Sequence, residues 1–329
     1  MRLHALGKSA FAALLAGCSG QSVLEPSQPV QPPVAHSSVF AASPGLPMRR
    51  DGSPSWMAPA AKGDDLLYIS DRGTADVYVY SYPTGTLVGT LTGFSWPSGE
   101  CVDKVGDVFI ANWSAADILE YAHGGTSPIA TLSDPNQTAD SCSIDPTTGD
   151  LAVTNIYSSS GSGTGSVSIY SHARGMPQTY SDFYMYFMWF CGYDNEGNLF
   201  VDGFNNGGTF QFAELPKGRE SFKNITLDYP IYTPGGIQWD GKYVAVEDQG
   251  FGDGSEIYQT TGARGHVVNA TPLSGSCDVV QFTIVDRNVI GPDYCYNDVG
   301  FWKYPTGGPV LKTITGLSTP FGSALSKAK

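Results

Sequence analysis

The chain has 329 residues, of which 41% are hydrophobic and 12% aromatic, and carries a formal net charge of −13. That length can bury a large core, while the acidic balance excludes an electrostatic footprint for nucleic acid and is unfavourable to direct contact with anionic lipid. Forty glycines and 22 prolines without a collagen period point to a turn-rich, all-β chain.

The amino-terminal stretch carries Arg2 and Lys8 ahead of a short apolar run, residues 10–16, and closes on Leu15-Ala16-Gly17-Cys18. This resembles a bacterial lipoprotein signal peptide, residues 1–17, and the resemblance implies cleavage before Cys18 and acylation of its thiol, as with palmitate. An ordinary secretory signal and an unrelated cysteine are the alternatives. The apolar run is too short to span a bilayer. The expected location is therefore the cell envelope, extracytoplasmic and lipid-anchored, at the outer membrane where the host has one, since Ser19 and not Asp follows the cysteine. Loss of Arg2 and Lys8 with the signal takes the formal charge to −15. Residues 18–53 are rich in Pro, Ser, Ala and Gln and read as a disordered tether, able at about 3 Å per residue to reach ~100 Å.

From residue 54 to 329 one pattern returns. Residues 100–132 show it complete: an apolar run ending in Asp103, a Gly-bearing turn, VFIAN, a polar loop, DILEY, a Gly-Gly turn and PIATL. Four short runs divided by turn residues predict a four-stranded antiparallel meander. Its second strand recurs as LLYISD, VFIAN, LAVTN, LFVDG, VAVED and VIGPD, closing at Asp71, Asn112, Asn155, Gly203, Asp248 and Asp293, at intervals of 41 to 48 residues. That is the period of a propeller blade. First strands end at Asp103, Asp145, Asp194, Asp240 and Asp286, each followed by a second strand. LLYISD has no first strand before it, whereas PFGSALS near the C-terminus has no second strand after it. The fold expected is an all-β, six-bladed β-propeller, closed by the C-terminal strand joining the N-terminal blade and so shielding its edges. Trp56 and Met57 precede the first blade and are expected to pack onto it.

Units of the form aliphatic-x-Asp, Gly turn, aliphatic-aromatic-aliphatic-x-Asp/Asn resemble NHL repeats and the six-bladed senescence-marker-protein/gluconolactonase propellers. The WD hallmark is missing, Trp239-Asp240 being a lone pair on the wrong strand. The resemblance implies a fold that hosts sugar lactonases, synthases and pure binding modules alike. A monomeric binding or scaffolding module for a carbohydrate-like or protein ligand is the favoured reading. A divalent-metal-dependent hydrolase of the sugar-lactonase type, with Glu100, Asn155 or Glu247 among its ligands, is the alternative.

Candidate site residues follow from alternation, which puts the ends of the second strands on one face of the ring. The Asx ring there, with Asn112, Asn155 and Asp248 as candidate metal ligands, suits an oxygen-ligated cation such as calcium. The same side chains also suit loop capping through backbone N–H groups. Glu100 and Glu247 depart from the repeat and, with Asp202 next to the ring, are candidate ligand-binding residues. The aromatic run of residues 180–194 offers Tyr184, Tyr186 and Trp189 as a stacking platform, although alternation assigns half of such a run to the core. His36 falls in the tether, and His123, His172 and His266 fall at third-to-fourth-strand turns on the opposite face, so no histidine base is expected at the channel mouth. No nucleophile elbow, zinc-protease motif or P-loop occurs, and the Gly/Ser-rich residues 158–166 read as a loop.

The cysteines divide. Cys101, Cys142 and Cys191 lie on successive first strands, where neighbouring blades are expected to be too distant for a bridge and a buried apolar role suffices. Cys277 and Cys295 flank a hairpin. With Val285 facing Asn288 across its turn, Cys277 falls opposite position 296, and a slip of one residue brings it opposite Cys295. A disulfide enclosing that loop is expected in an oxidising compartment and is worth about 3 kcal/mol by loop entropy; two free thiols are the alternative.

Overall fold

A computed structural model describes residues 53–158, 164–250 and 254–329. Cys18, the signal peptide and the tether up to residue 52 lie outside the described residues, as do residues 159–163 of the Gly/Ser-rich loop. The described chain forms six antiparallel sheets, each built on the meander that the sequence predicts. The innermost strands are, in blade order, Pro320–Ser326, Pro97–Val102, Gln137–Ile144, Phe187–Tyr193, Pro234–Trp239 and Thr283–Val285. Their hairpin partners are Asp65–Asp71, Val108–Asn112, Leu151–Ser158, Leu199–Phe204, Val244–Asp248 and Asn288–Asp293. Alternation along these second strands fills the spaces between blades, as with Leu66, Tyr68, Val108 and Ile110 in one cluster.

The C-terminal strand closes the ring, with Leu66 opposite Ser326 and Ile69 opposite Ser323. Trp56–Met57 adds a fifth strand to the outer edge of the first blade, Met57 packing against its core. Gly308–Pro309 extends the fifth blade by a short parallel pairing. Both additions cover an outer strand that would otherwise present free backbone groups.

One feature is absent from simple alternation and common to all six blades. Near the second-strand end, each inner strand carries one residue more than its partner. The register shifts between Pro97 and Glu100, Ala139 and Ser141, Met188 and Cys191, Pro234 and Ile237, and Pro320 and Ser323. In the sixth blade Thr283 faces Ile290, yet Val279 faces Asp293. An extra residue in one strand of an antiparallel pair is a β-bulge, which bends the strand and re-aims its side chains.

The sixth bulge supplies the slip on which the Cys277–Cys295 bridge depends. The turn places Val285 opposite Asn288, with Asp286 and Arg287 both at positive φ, as a two-residue primed hairpin turn requires. Beyond the bulge the cysteines come opposite, with their Cα atoms 5.7 Å apart in a disulfide.

The expectation for Cys101 and Cys142 is overturned: they form a disulfide between the second and third blades, with Cα atoms 5.6 Å apart. Inner strands of neighbouring blades are in direct contact, and small residues permit it. A Cβ on Gly99 would lie 2.7 Å from the Ser141 Cα, and one on Gly192 2.6 Å from the Ile237 carbonyl oxygen. Cys191 stays a buried free thiol, as expected. Non-reducing peptide mapping should therefore recover a Cys101–Cys142 linked pair beside the Cys277–Cys295 pair. Free alkylation of Cys101 in the folded, unreduced protein would contradict the first bridge.

Candidate functional site

Side chains from five of the six bulges meet at the second-strand face, the fifth blade contributing only Gly235 and Gly236 there. Phe190 and Phe321, from opposite blades, stack with ring centroids 6.2 Å apart, and both are buried. Arg72, just beyond the first blade's second strand, lays its guanidinium over Phe321 at 3.2 Å from the ring centroid. The same guanidinium meets Asp140 at 2.6 Å and the Ser98 hydroxyl at 2.8 Å. Gln281 completes the plug: its Nε2 donates to the Glu100 carbonyl at 3.0 Å, and its Oε1 accepts from the N–H groups of Glu100 and Ser323. Ser98, Asp140, Phe190, Gln281 and Phe321 all lie in bulges, so one backbone irregularity supplies the side chains that converge on the axis.

Acidic side chains brace these bulges. Asp202 accepts from the N–H groups of Phe190 and Gly235, each at 3.1 Å, and Glu247 accepts from that of Gly236 at 3.0 Å. Glu100 is 2% exposed, and neither of its carboxyl oxygens has a hydrogen-bond partner among the described residues. Burial pushes all three carboxyl groups well above the usual range, unopposed for Glu100 and only partly offset by backbone N–H groups for Asp202 and Glu247.

Burial likewise pushes Asp134 up to about 6 and Asp278 up to about 7, the latter with a further contribution from Asp293. Each of these acids holds its proton more tightly folded than unfolded. Their stabilising contribution is complete below about pH 4, the unfolded value, and is lost as pH rises through the folded values near 6 and 7. The melting temperature is therefore expected to fall between mildly acidic and mildly alkaline pH. Asp278→Asn should flatten that slope, raising stability more on the alkaline side. An unchanged slope in differential scanning calorimetry would refute the assignment.

Asp71, Asn112, Asp248 and Asp293 of the Asx ring cap loops through backbone N–H groups. Asp71 accepts from the N–H groups of Gly73, Thr74, Ser318 and Thr319, thereby tying down the C-terminal segment. Asp248 accepts from Tyr232, Thr233 and Gly250, and Asp293 from Cys277, Asp278, Cys295 and Tyr296. Asn112 Oδ1 accepts from the Ser95 N–H at 2.6 Å and its Nδ2 donates to Asp117. Asn155 donates to Ser166 and Ser168, while its Oδ1 is enclosed without a partner among the described residues.

The run of residues 180–194 divides between core and surface. Met185, Met188 and Phe190 are buried, whereas Phe183 and Tyr184 are 93% and 61% exposed and meet edge to face. Tyr186 packs edge-on against Phe187, and Trp189 lies half-buried between Phe190 and Phe204.

A second aromatic group, outside the sequence candidates, lies beside the plug. Trp96 is 50% exposed and tilts against Trp113 at 5.5 Å between ring centroids; Trp113 meets Tyr157 edge-on at 5.8 Å. Tyr157 in turn feels the charges of Asp140 and Arg72, although burial is the larger cause of its raised phenol pKa. Trp96 has φ +69°, a left-handed conformation that costs a bulky residue about 1–3 kcal/mol. It is held there by the Trp113 N–H on its carbonyl at 3.1 Å, the Ser114 N–H on the Ser95 carbonyl at 3.0 Å, and the Asn112 cap on Ser95. Trp96-Pro97, an aromatic directly ahead of an inner strand, is the sequence signal that could have marked this group. Its partners come from a 3-10 turn 17 residues away and from the end of the third blade's second strand, 61 residues away.

Comparison with solved structures agrees with the fold. A chain from the crystal structure of a nidogen–laminin complex aligns with 80% of this chain and 99% of its own length, at a TM-score of 0.65 and 13% identity. At that identity the likeness concerns the fold alone. With 1311 solved chains matching, the architecture by itself selects no function. No protein-family model matches the sequence. No curated protein matches it either.

Proposed function

We propose that this chain is a binding module, held outside the cytoplasm by an acylated Cys18 and presenting the second-strand face of its propeller to a carbohydrate-like or protein partner. The observation that carries this reading is the plug: bulge side chains from the inner strands close the axis, which leaves the mouth as a recognition surface and not a substrate cavity. The alternative, a lactonase-type hydrolase, requires acid oxygens open to a cation at the mouth. Asp140 there is already neutralised by Arg72. Calcium on Asn112, Asn155 and Asp248 would have to displace backbone N–H groups from the first and third of these, and the proposal does without it. The likeness to a chain solved in a nidogen–laminin complex supports a binding role at the level of fold only. The proposal also places the chain beside the NHL-type propellers.

Two experiments test it. Cys18→Ser should release the protein from membranes, with loss of fatty-acid labelling; a variant that still sediments with membranes defeats the anchor. A photo-crosslinking residue at exposed Ser95 should yield an adduct in intact cells, and one at exposed Lys242, in the hairpin turn of the opposite face, should not. Equal labelling from both positions would refute a partner on the second-strand face.

A further inference from the structure

We propose that Trp96, Trp113 and Tyr157, with Arg72, Asp140 and Ser98 at their inner end, form a binding cleft for an uncharged glycan. The inference rests on the binding-module reading and names the ligand class for that face. Three observations carry it. The rings succeed one another in steps of 5.5 and 5.8 Å, comparable to a sugar ring with its linking oxygen, and turn by 45° and 88°. They leave Trp96 half-exposed with Trp113 and Tyr157 partly buried behind it, an aromatic surface suited to the C–H face of a pyranose.

The second observation is the polar end. The Ser98 hydroxyl donates to the Trp96 carbonyl at 3.3 Å, which joins the rings to the Arg72–Asp140 pair. Arg72, whose side chain is 15% exposed, is the member of this cluster that a ligand hydroxyl can reach, while Asp140 and Ser98 lie buried beneath it and hold its guanidinium in place. Asp140 is fully buried, and its Oδ2, without a hydrogen-bond partner among the described residues, is sealed from solvent, so the carboxylate acts by fixing Arg72 from beneath. Charge is the third observation. With a net charge of −13 on the chain and the one guanidinium at this end already paired, a polyanion is disfavoured and a neutral, hydroxyl-rich ligand is not. The strained but clamped backbone at Trp96 presents its half-exposed ring in a fixed direction before any ligand arrives, which lowers the ordering cost of binding.

The test is affinity electrophoresis of the full chain in native gels containing hydroxyethylcellulose, dextran or galactomannan. Retardation by at least one of these is expected. Trp96→Ala and Trp113→Ala should each weaken it about tenfold, equivalent to 1.4 kcal/mol, while Tyr184→Ala leaves it unchanged. Thermal melting of each variant separates lost binding from lost folding, and Trp96→Tyr, which keeps a ring, should restore part of the retardation. No retardation by any of the three polysaccharides, or retardation indifferent to both tryptophans, overturns the inference. An adduct to a protein from position 95 together with no retardation would sink the glycan assignment and leave the binding-module reading standing. Equal labelling from positions 95 and 242 would remove that reading itself.

Discussion

Deletion of residues 318–329 is expected to abolish cooperative unfolding, a far larger effect than trimming a frayed terminus would have. The segment supplies the inner strand of the first blade, pairing from Leu66–Ser326 through Asp71–Pro320. It also carries Phe321, which forms half of the ring stack at the axis and the platform under Arg72. The Ser318 and Thr319 N–H groups on Asp71, and the Ser323 N–H on Gln281, leave with it. Burial of one Phe is worth about 1.5–3 kcal/mol and each hydrogen bond about 1 kcal/mol. Summed over a seven-residue strand, the loss is comparable to the 5–15 kcal/mol, roughly, that holds a domain folded. It also exposes strand edges on both sides of the gap. Circular dichroism melting decides the matter: a truncated chain with the cooperativity and midpoint of the full chain would refute closure as a source of stability.

Arg72→Leu is expected to destabilise the protein by about 3–5 kcal/mol, because it strands the fully buried Asp140 without its counter-charge. Burial already raises the Asp140 carboxyl and Arg72 opposes that rise, so removing Arg72 drives it higher still. The folded variant then binds a proton that the unfolded chain releases above about pH 4. Its deficit is therefore smallest in acid and grows as pH rises through the new folded value, the direction linkage requires for a raised carboxyl. Arg72→Leu combined with Asp140→Leu should recover much of the loss, since an apolar pair leaves no buried charge unpaired. Urea unfolding at several pH values tests both parts. A single variant with an unchanged midpoint, or a double variant worse than the single, would show that the pair does not hold the mouth together.

Sequence reading succeeded where the physics is local. Strand alternation, turn residues and a period of 41 to 48 residues belong to each blade separately, so the meander was legible unit by unit. The surplus strand at the C-terminus and the missing one at the N-terminus then led to closure, which the Leu66–Ser326 pairing bears out. The two-residue turn at Asp286-Arg287 gave the register around Cys277 and Cys295 to within the single slip that the sixth bulge supplies.

What the tertiary structure decided depends on residues distant in the chain. A bulge inserts a residue that alternation reads as part of the same strand, so the plug of Ser98, Asp140, Phe190, Gln281 and Phe321 had no sequence signature of its own. Only the repeated Gly beside it, at Gly99, Gly236 and Gly322, hinted that backbones meet there. The same contact between inner strands sets the Cys101–Cys142 bridge, which spacing of 41 residues does not specify. Arg72 reaches Asp140 across 68 residues, and the Trp96–Trp113–Tyr157 arc is assembled from a loop, a 3-10 turn and a strand end. A blade encodes its own hairpins through short-range periodicity, whereas the mouth forms only when six of them converge on one axis, and no local pattern records which side chains will meet there.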